Sequence, residues 1–177
     1  MKDLQIEITE ASLNDVVAIS EVQKEVWLST FPNKEFGITK EDVLSEDFFS
    51  EEKMEKRREI INDPNSNTKF WVAKYKDKVI GYACARKLDG YNKIRSIYIL
   101  SDFQGQGIGH QLMKIMFAWF DMKKPVKLTV AIYSLKAIAF YEKLGFVRGK
   151  RLAKNPDGSF VSGREVPEME MIKMPLI

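Results

Sequence analysis

One cysteine, Cys84, and one histidine, His110, are all that the 177 residues contain of either type. A lone cysteine forms no internal disulfide, and the two residues together offer no cysteine–histidine cluster for a zinc ion. A single imidazole also sets aside Ser-His-Asp and Cys-His catalysis and most imidazole metal centres. No apolar run approaches the ~20 residues that span a bilayer, and the opening segment MKDLQIEITE lacks a stretch of signal-peptide length. Charge of one sign is scarce as well: 28 basic and 25 acidic residues, interspersed, leave only +3. That describes a mixed surface rather than a nucleic-acid-binding face. Ten glycines without a period exclude a collagen-like chain. The expectation is a cytoplasmic protein with no metal, nucleic-acid or membrane partner. With 45% hydrophobic residues and no repeat or linker, residues 1–177 are expected to form a single domain.

Alternation over residues 6–10 predicts a first strand. Ser12 to Asp15 has the form of a capping box. Val16, Ile19, Val22 and Val26 then recur at helical spacing, so a helix is expected to about Leu28. Pro32 and Gly37 mark a loop. Residues 39–49 and 51–61 are expected to be two charged helices, with a turn over 63–67. Strands follow at 69–75, 79–87 and 94–100, the first two joined by a short hairpin connection at 76–78. Later elements are a strand at 127–133, a helix at 134–144 closed by Gly145, and strands at 146–151 and 168–174 around a polar loop, 155–167. The pattern is α+β, with a βαβα core.

Between the strand at 94–100 and a helix expected from His110 to about Met122 lies Gln104-Gly105-Gln106-Gly107-Ile108-Gly109. Glycine at alternate positions lets successive backbone N–H groups converge without a Cβ in the way. The helix N-terminus adds unpaired N–H groups and the positive end of its dipole. Together they make a seat for a phosphate or pyrophosphate. The Walker loop GxxxxGK[ST] is absent. The dinucleotide fingerprint needs glycine where His110 stands and a carboxylate where Thr129 and Val130 stand. On the glycines alone, a left-handed turn that holds no ligand stays open.

Gln104-x-x-Gly107-x-Gly109, following Ile97-Tyr98-Ile99, resembles the acetyl-CoA pyrophosphate loop of the GNAT superfamily of N-acetyltransferases. Further on, Ala137 to Phe146 reads AIAFYEKLGF and resembles that superfamily's next motif, A-x-x-F-Y-x-x-x-G-F. The likeness covers residues 69–151. Residues 27–31 and 37–42 are similar to acceptor-side helices of small bacterial members, including polyamine acetyltransferases.

The resemblance implies the GNAT acyl-CoA N-acyltransferase fold, a central splayed mixed sheet flanked by helices. Residues 1–68 would be the acceptor-side strand and helices, 69–151 the acetyl-CoA-binding core and 152–177 a closing hairpin. Acetyl-CoA is the implied acyl donor. Its pantetheine would lie along the backbone of Ile97, Tyr98 and Ile99 like an added strand. Its pyrophosphate would sit on the N–H groups of Gln104, Gly105, Gln106, Gly107, Ile108 and Gly109. Ser134 stands where the family often has asparagine, and reaches less far. Lys143 meets a cofactor phosphate in this reading, or else is a solvated helix lysine.

Acetyl transfer to an amine needs a neutral nitrogen and a proton for the departing thiolate. An amine of pKa near 10.4 is neutral in roughly one molecule in a few thousand at pH 7, so a base or desolvation must help. By resemblance Tyr141 is the acid that protonates the thiolate; the alternative is a core tyrosine between Phe140 and Leu144. No carboxylate lies between residues 91 and 100, and Asp89 is the nearest in sequence, so no base is assigned. His110 reads as a surface residue and Cys84 as buried packing. Trp27 and Phe31 are candidates to wall the acceptor site, or else belong to the core. The acids Glu41, Asp42, Glu46, Asp47, Glu51, Glu52 and Glu55, set against Lys53, would draw a cationic acceptor; the alternative is two solvated helix faces. The expected activity is direct acetyl transfer, in a ternary complex, to a small-molecule primary amine. A polyamine or other small cationic amine comes first, a protein N-terminus or lysine second. A non-catalytic acyl-CoA-binding sensor is the rival from another class, and a homodimer is left open.

Overall fold

The structure, a computed structural model, describes residues 5–152 and 160–175. Its strands are β1 (Ile6–Glu10), β2 (Thr68–Tyr75), β3 (Lys78–Lys87), β4 (Asn92–Ile99), β5 (Val126–Ala131), β6 (Val147–Arg151) and β7 (Glu168–Lys173). Its helices are α1 (Val16–Thr30), α2 (Lys40–Leu44), α3 (Glu51–Asn62), α4 (Ile108–Trp119) and α5 (Leu135–Lys143). The strands form one mixed sheet in the order β1-β2-β3-β4-β5-β7-β6. The α+β class and the splayed mixed sheet expected from the sequence are both present. β1 to β4 run antiparallel in succession. The β2–β3 link is tight because Lys76 and Asp77 both take left-handed φ, +48° and +63°, as a two-residue hairpin turn requires.

The two faces of the sheet carry different helices. Trp71 on β2 meets Trp119 of α4 edge-on at 5.5 Å, and Leu112, Met113 and Met116 of α4 are fully buried in the main core. α1 crosses the other face against β3 and β4, with Ile19 in that core, and α3 packs beside it. A smaller cluster of Ile38, Val43, Phe48, Ala131, Phe160 and Val166 sits at the end of α1, where Trp27 and Phe31 pack against it.

Asp15, just before α1, is a buried carboxylate, 4% exposed. Burial pushes its pKa up, but a hydrogen bond from Lys74 Nζ (2.7 Å), others from the Ser12 N–H and Oγ (both 2.8 Å), and the Lys74 charge outweigh that effect. They hold it below the ordinary carboxylate value. The pair staples the start of α1 onto β2.

Three elements differ from the expectation. The helix expected over 39–49 is only α2, opened by a Thr39–Asp42 capping box. Ser45 closes it by donating its Oγ to the Asp42 carbonyl at 2.6 Å, and the chain then turns Phe48 into the smaller cluster. α4 starts at Ile108 and stops at Trp119, short of Met122, because Phe120 leaves the helix to pack in the core. β5 ends at Ala131, so Tyr133 lies in the turn before α5. There its Oη donates to the Phe31 carbonyl at 2.8 Å and its ring stacks on Phe36. Residues 153–159 lie outside the described residues, and with them the first part, 155–159, of the polar loop expected at 155–167.

Candidate active site

β4 and β5 are parallel neighbours that pair only at Asn92↔Val126 and Lys93↔Lys127, after which they diverge. Asn92 pins the closed end: its N–H donates to the Pro125 carbonyl and its Nδ2 to the Asp121 carbonyl, both at 2.8 Å. Beyond it, one edge of β4 faces a gap. The Leu100 N–H donates to the Ile80 carbonyl at 2.9 Å, which fixes the phase of the antiparallel ladder with β3. Residues 98 and 100 therefore turn their main chain to β3, and residues 97 and 99 turn theirs to the gap. The Ile99 carbonyl already accepts from Gln104 Nε2 at 2.9 Å. The Ile97 N–H and carbonyl and the Ile99 N–H remain for a strand-like ligand. Tyr98 departs from the expectation, since its main chain serves β3 and its contribution is a side chain.

The glycine loop divides into two kinds of position. Gly105 and Gly107 have φ of +77° and +79°, and a Cβ on either would meet nothing within 4 Å. Left-handed backbone, not space, is what asks for glycine there. Gly109 is different, being already inside α4. A Cβ on it would stand 3.2 Å from Phe140 Cζ and 3.7 Å from Ile99 Cδ1, so its role is close packing of α4 on α5. Among the described residues, no backbone carbonyl accepts from the N–H groups of residues 105–110. Gln106 Nε2 donates to the Asp102 carbonyl at 3.2 Å, so with Gln104 it braces the loop rather than extending from it. The Ile108 side chain is buried, leaving only its main chain to offer. An exposed row of free N–H groups at the positive end of a helix, with no Cβ in front, fits a pyrophosphate.

Tyr141 on α5 lies between Phe140 and Phe146, ring centroids 5.2 and 5.7 Å away. Its packing is that of a core residue. Burial pushes its phenol above the ordinary tyrosine value, with neighbouring Tyr98 adding to the shift, so it stays protonated through neutral pH. Ser134 precedes α5 half-buried and makes no capping hydrogen bond with its side chain, while Lys143 is exposed at the far end. His110 is exposed, edge-on to Phe140 at 5.0 Å.

On the face covered by α1 and α3 lies a pocket of about 390 Å³. Trp27, Phe31, Phe48 and Phe160 form an aromatic side, Trp27 meeting the other three edge-on at 5.1 to 6.0 Å. Tyr82, Cys84, Ser96 and Tyr98 form a floor on β3 and β4. Burial pushes the Cys84 thiol up to about 12, which suits packing and not nucleophilic attack. Arg57, Arg95, Lys53, Lys56, Glu46 and Glu168 supply the charge. The sequence points to Trp27 and Phe31 but not to Phe48, Phe160, Arg57, Arg95 or Glu168. Nor does the acidic stretch face inward as a body: Glu51 and Glu55 are exposed and pair with Arg58 at 2.7 and 2.9 Å. Glu46 does line the pocket, where it pairs with Lys53 at 3.1 Å and accepts from the Val161 N–H at 2.9 Å.

The model of the acetyltransferase (GNAT) family matches residues 37–146, more than half of the chain. This chain belongs to the GNAT family. It is an acetyltransferase whose acyl donor is acetyl-CoA. The GNAT fold is shared with solved structures across nearly the whole length. The PaiA N-acetyltransferase of Thermoplasma acidophilum, in complex with coenzyme A, aligns with TM-score 0.71 and 20% identity over 96% of this chain and 99% of that one. A spermidine N-acetyltransferase SpeG chimera from Vibrio cholerae and hSSAT aligns with TM-score 0.68 and 20% identity, over 97% and 96%. The ribosomal-protein-S18-alanine N-acetyltransferase of Escherichia coli aligns with TM-score 0.64 and 17% identity, over 98% and 96%. Among the described residues, no helix is long and apolar enough to cross a membrane and no cluster could hold a metal ion.

Proposed function

We propose that this acetyltransferase moves the acetyl group directly from acetyl-CoA to a small primary amine held in the pocket under α1 and α3. One observation about β4 carries the reading. Ile97 and Ile99 turn main chain to the gap, while Ser96 and Tyr98 line the pocket floor. A single strand thus borders a donor seat and an acceptor pocket, as a ternary complex requires.

Acetyl-CoA supplies an acetyl group activated as a thioester. The N–H groups of residues 105–109 and the dipole of α4 receive its pyrophosphate, and Ile97 with Ile99 receives the pantetheine arm. The aromatic side of the pocket desolvates the acceptor's ammonium, which favours the neutral, nucleophilic form. As the amine nitrogen attacks the thioester carbonyl, a C–N bond replaces the C–S bond. The nitrogen gives up one proton and the sulfur takes one. Tyr141, its phenol kept protonated by burial, donates to the sulfur. A polyamine acceptor would lean on Glu46 and Glu168, the two carboxylates at the lining, and Glu46 is already shared with Lys53 and Val161.

The test incubates the protein with acetyl-CoA and a panel of amines and follows free CoA by chromatography. CoA release that depends on an amine is expected. Release no faster than hydrolysis with every amine would overturn the small-amine acceptor and favour a protein N-terminus or lysine in its place.

A further inference from the structure

Resting on the acceptor pocket just described, we propose that the acceptor carries a carboxylate beside its amine, and that Arg57, with Arg95 and Lys56, holds that carboxylate. The acceptor class is then amino-acid-like, not polycationic.

Arg57 reaches from α3 to α1, donating from Nη1 to Ser20 Oγ and from Nη2 to Gln23 Oε1. Both acceptors are neutral. Two of the five guanidinium N–H donors are engaged, and the other three have no acceptor among the described residues. Arg57 is only partly exposed, and no carboxylate among the described residues lies within ion-pairing distance of it. A cation fixed on a pocket wall by neutral partners lacks the counter-charge that would repay its desolvation, and an entering anion supplies it. The planar fork matches a carboxylate, which accepts two parallel N–H bonds.

Arg95 arrives at the same lining by a backbone device. The β3–β4 register shifts between Cys84 and Ala85, leaving Arg95 without a partner between Ile94 and Ser96. A bulge re-aims side chains, and here Arg95 and Ser96 both line the pocket although strand alternation would separate them. Arg57 and Arg95 thus line one pocket together with Cys84 of its floor. Lys56 lies beside them at the lining. Lys53, by contrast, is engaged by Glu46. Three cations with no ion-pair partner among the described residues would repel a polyamine. The same three, facing an aromatic wall, suit a small molecule with an apolar or extended body, an amine and a carboxylate. A volume of about 390 Å³ holds such a molecule.

The experiment compares matched pairs in the CoA-release assay: lysine against cadaverine, ornithine against putrescine, phenylalanine against phenethylamine, with spermidine alongside. The carboxylate-bearing member of at least one pair is expected to have the higher kcat/KM, by about 10-fold or more. Arg57→Gln should collapse that ratio toward one, through KM rather than kcat. Because Arg57 also joins α3 to α1, Arg95→Gln is made as well; it leaves that junction alone and should lower the ratio by a smaller factor. Preference for the decarboxylated members or spermidine overturns the carboxylate proposal while leaving the transferase reading intact. A second readout needs no turnover: thermal shift with the N-acetylated product of each pair. A shift from the carboxylate-bearing products but not from their decarboxylated counterparts, lost in Arg57→Gln, supports the carboxylate seat even if no amine releases CoA. No difference between the two members of every pair overturns it.

Discussion

Gly109 of α4 and Phe140 of α5 are packed so closely that a methyl group on the glycine would stand 3.2 Å from the ring. Phe140 is the residue before Tyr141, so this contact sets how near α5 can approach the end of β4. Gly109→Ala gains about 1 kcal/mol of helix propensity and loses about 1–3 kcal/mol to overpacking. The net loss of about 0–2 kcal/mol should lower the melting temperature by at most about 8 °C, while kcat falls about 10-fold as Tyr141 is displaced. A variant with kcat unchanged would show that α5 has slack.

Tyr141→Phe keeps the ring contacts with Phe140 and Phe146 and removes only the hydroxyl, the proton donor proposed above. Its kcat at pH 7 should fall by about 10² or more, with KM for acetyl-CoA and the circular dichroism spectrum unchanged. Full activity in this variant would leave Tyr141 as a packing residue.

Asp15 provides a test by pH. Its folded pKa is depressed, so the stability it contributes is present above the unfolded value near 3.9 and is lost as pH falls through the folded value. Asp15→Asn should lower stability by about 2 kcal/mol at pH 7, the scale of a charged hydrogen bond. That difference should hold to about pH 5 and shrink on further acidification. Urea unfolding of both proteins across pH reads it directly; a difference that grows toward low pH would contradict the pairing with Lys74.

Cys84, buried in the pocket floor with its thiol pushed up to about 12, should not react with a thiol-specific disulfide reagent at pH 8 in the native protein. One equivalent should react once guanidinium unfolds the chain. Rapid native reaction would mean that the floor opens to solvent.

The donor side is legible in the sequence because main-chain demands leave residues behind. Left-handed backbone at 105 and 107 asks for glycine, and a helix begins at once afterwards. Gly109 follows the same spacing for another reason, which appears only when Phe140 is brought beside it. The acceptor side is far less legible. Trp27, Phe48 and Phe160 are each ordinary core residues, and only the fold assembles them into one wall. Arg57 reads as one more charge on a charged helix until α3 lies against α1. Arg95 needs a bulge that no strand-forming pattern announces. The helix expected over 39–49 has the right residues for a helix, but Ser45 and the burial of Phe48 override local propensity.

The Val161 and Ser162 N–H groups donate to Glu46 Oε1 and Ser45 Oγ, at 2.9 and 3.1 Å, and so tie the segment bearing Phe160 to the stretch bearing Phe48. That side of the pocket is thus a clasp of two distant pieces of chain, whereas the glycine loop depends on its own backbone. If the proposed acceptor pocket and donor loop hold, a chain built this way has separable inheritance: paired changes in the clasp alter acceptor choice while the glycine loop stays fixed. Grafting residues 45–48 together with 160–166 is then the smallest exchange that moves a new acceptor preference into this scaffold, and grafting either alone breaks the clasp.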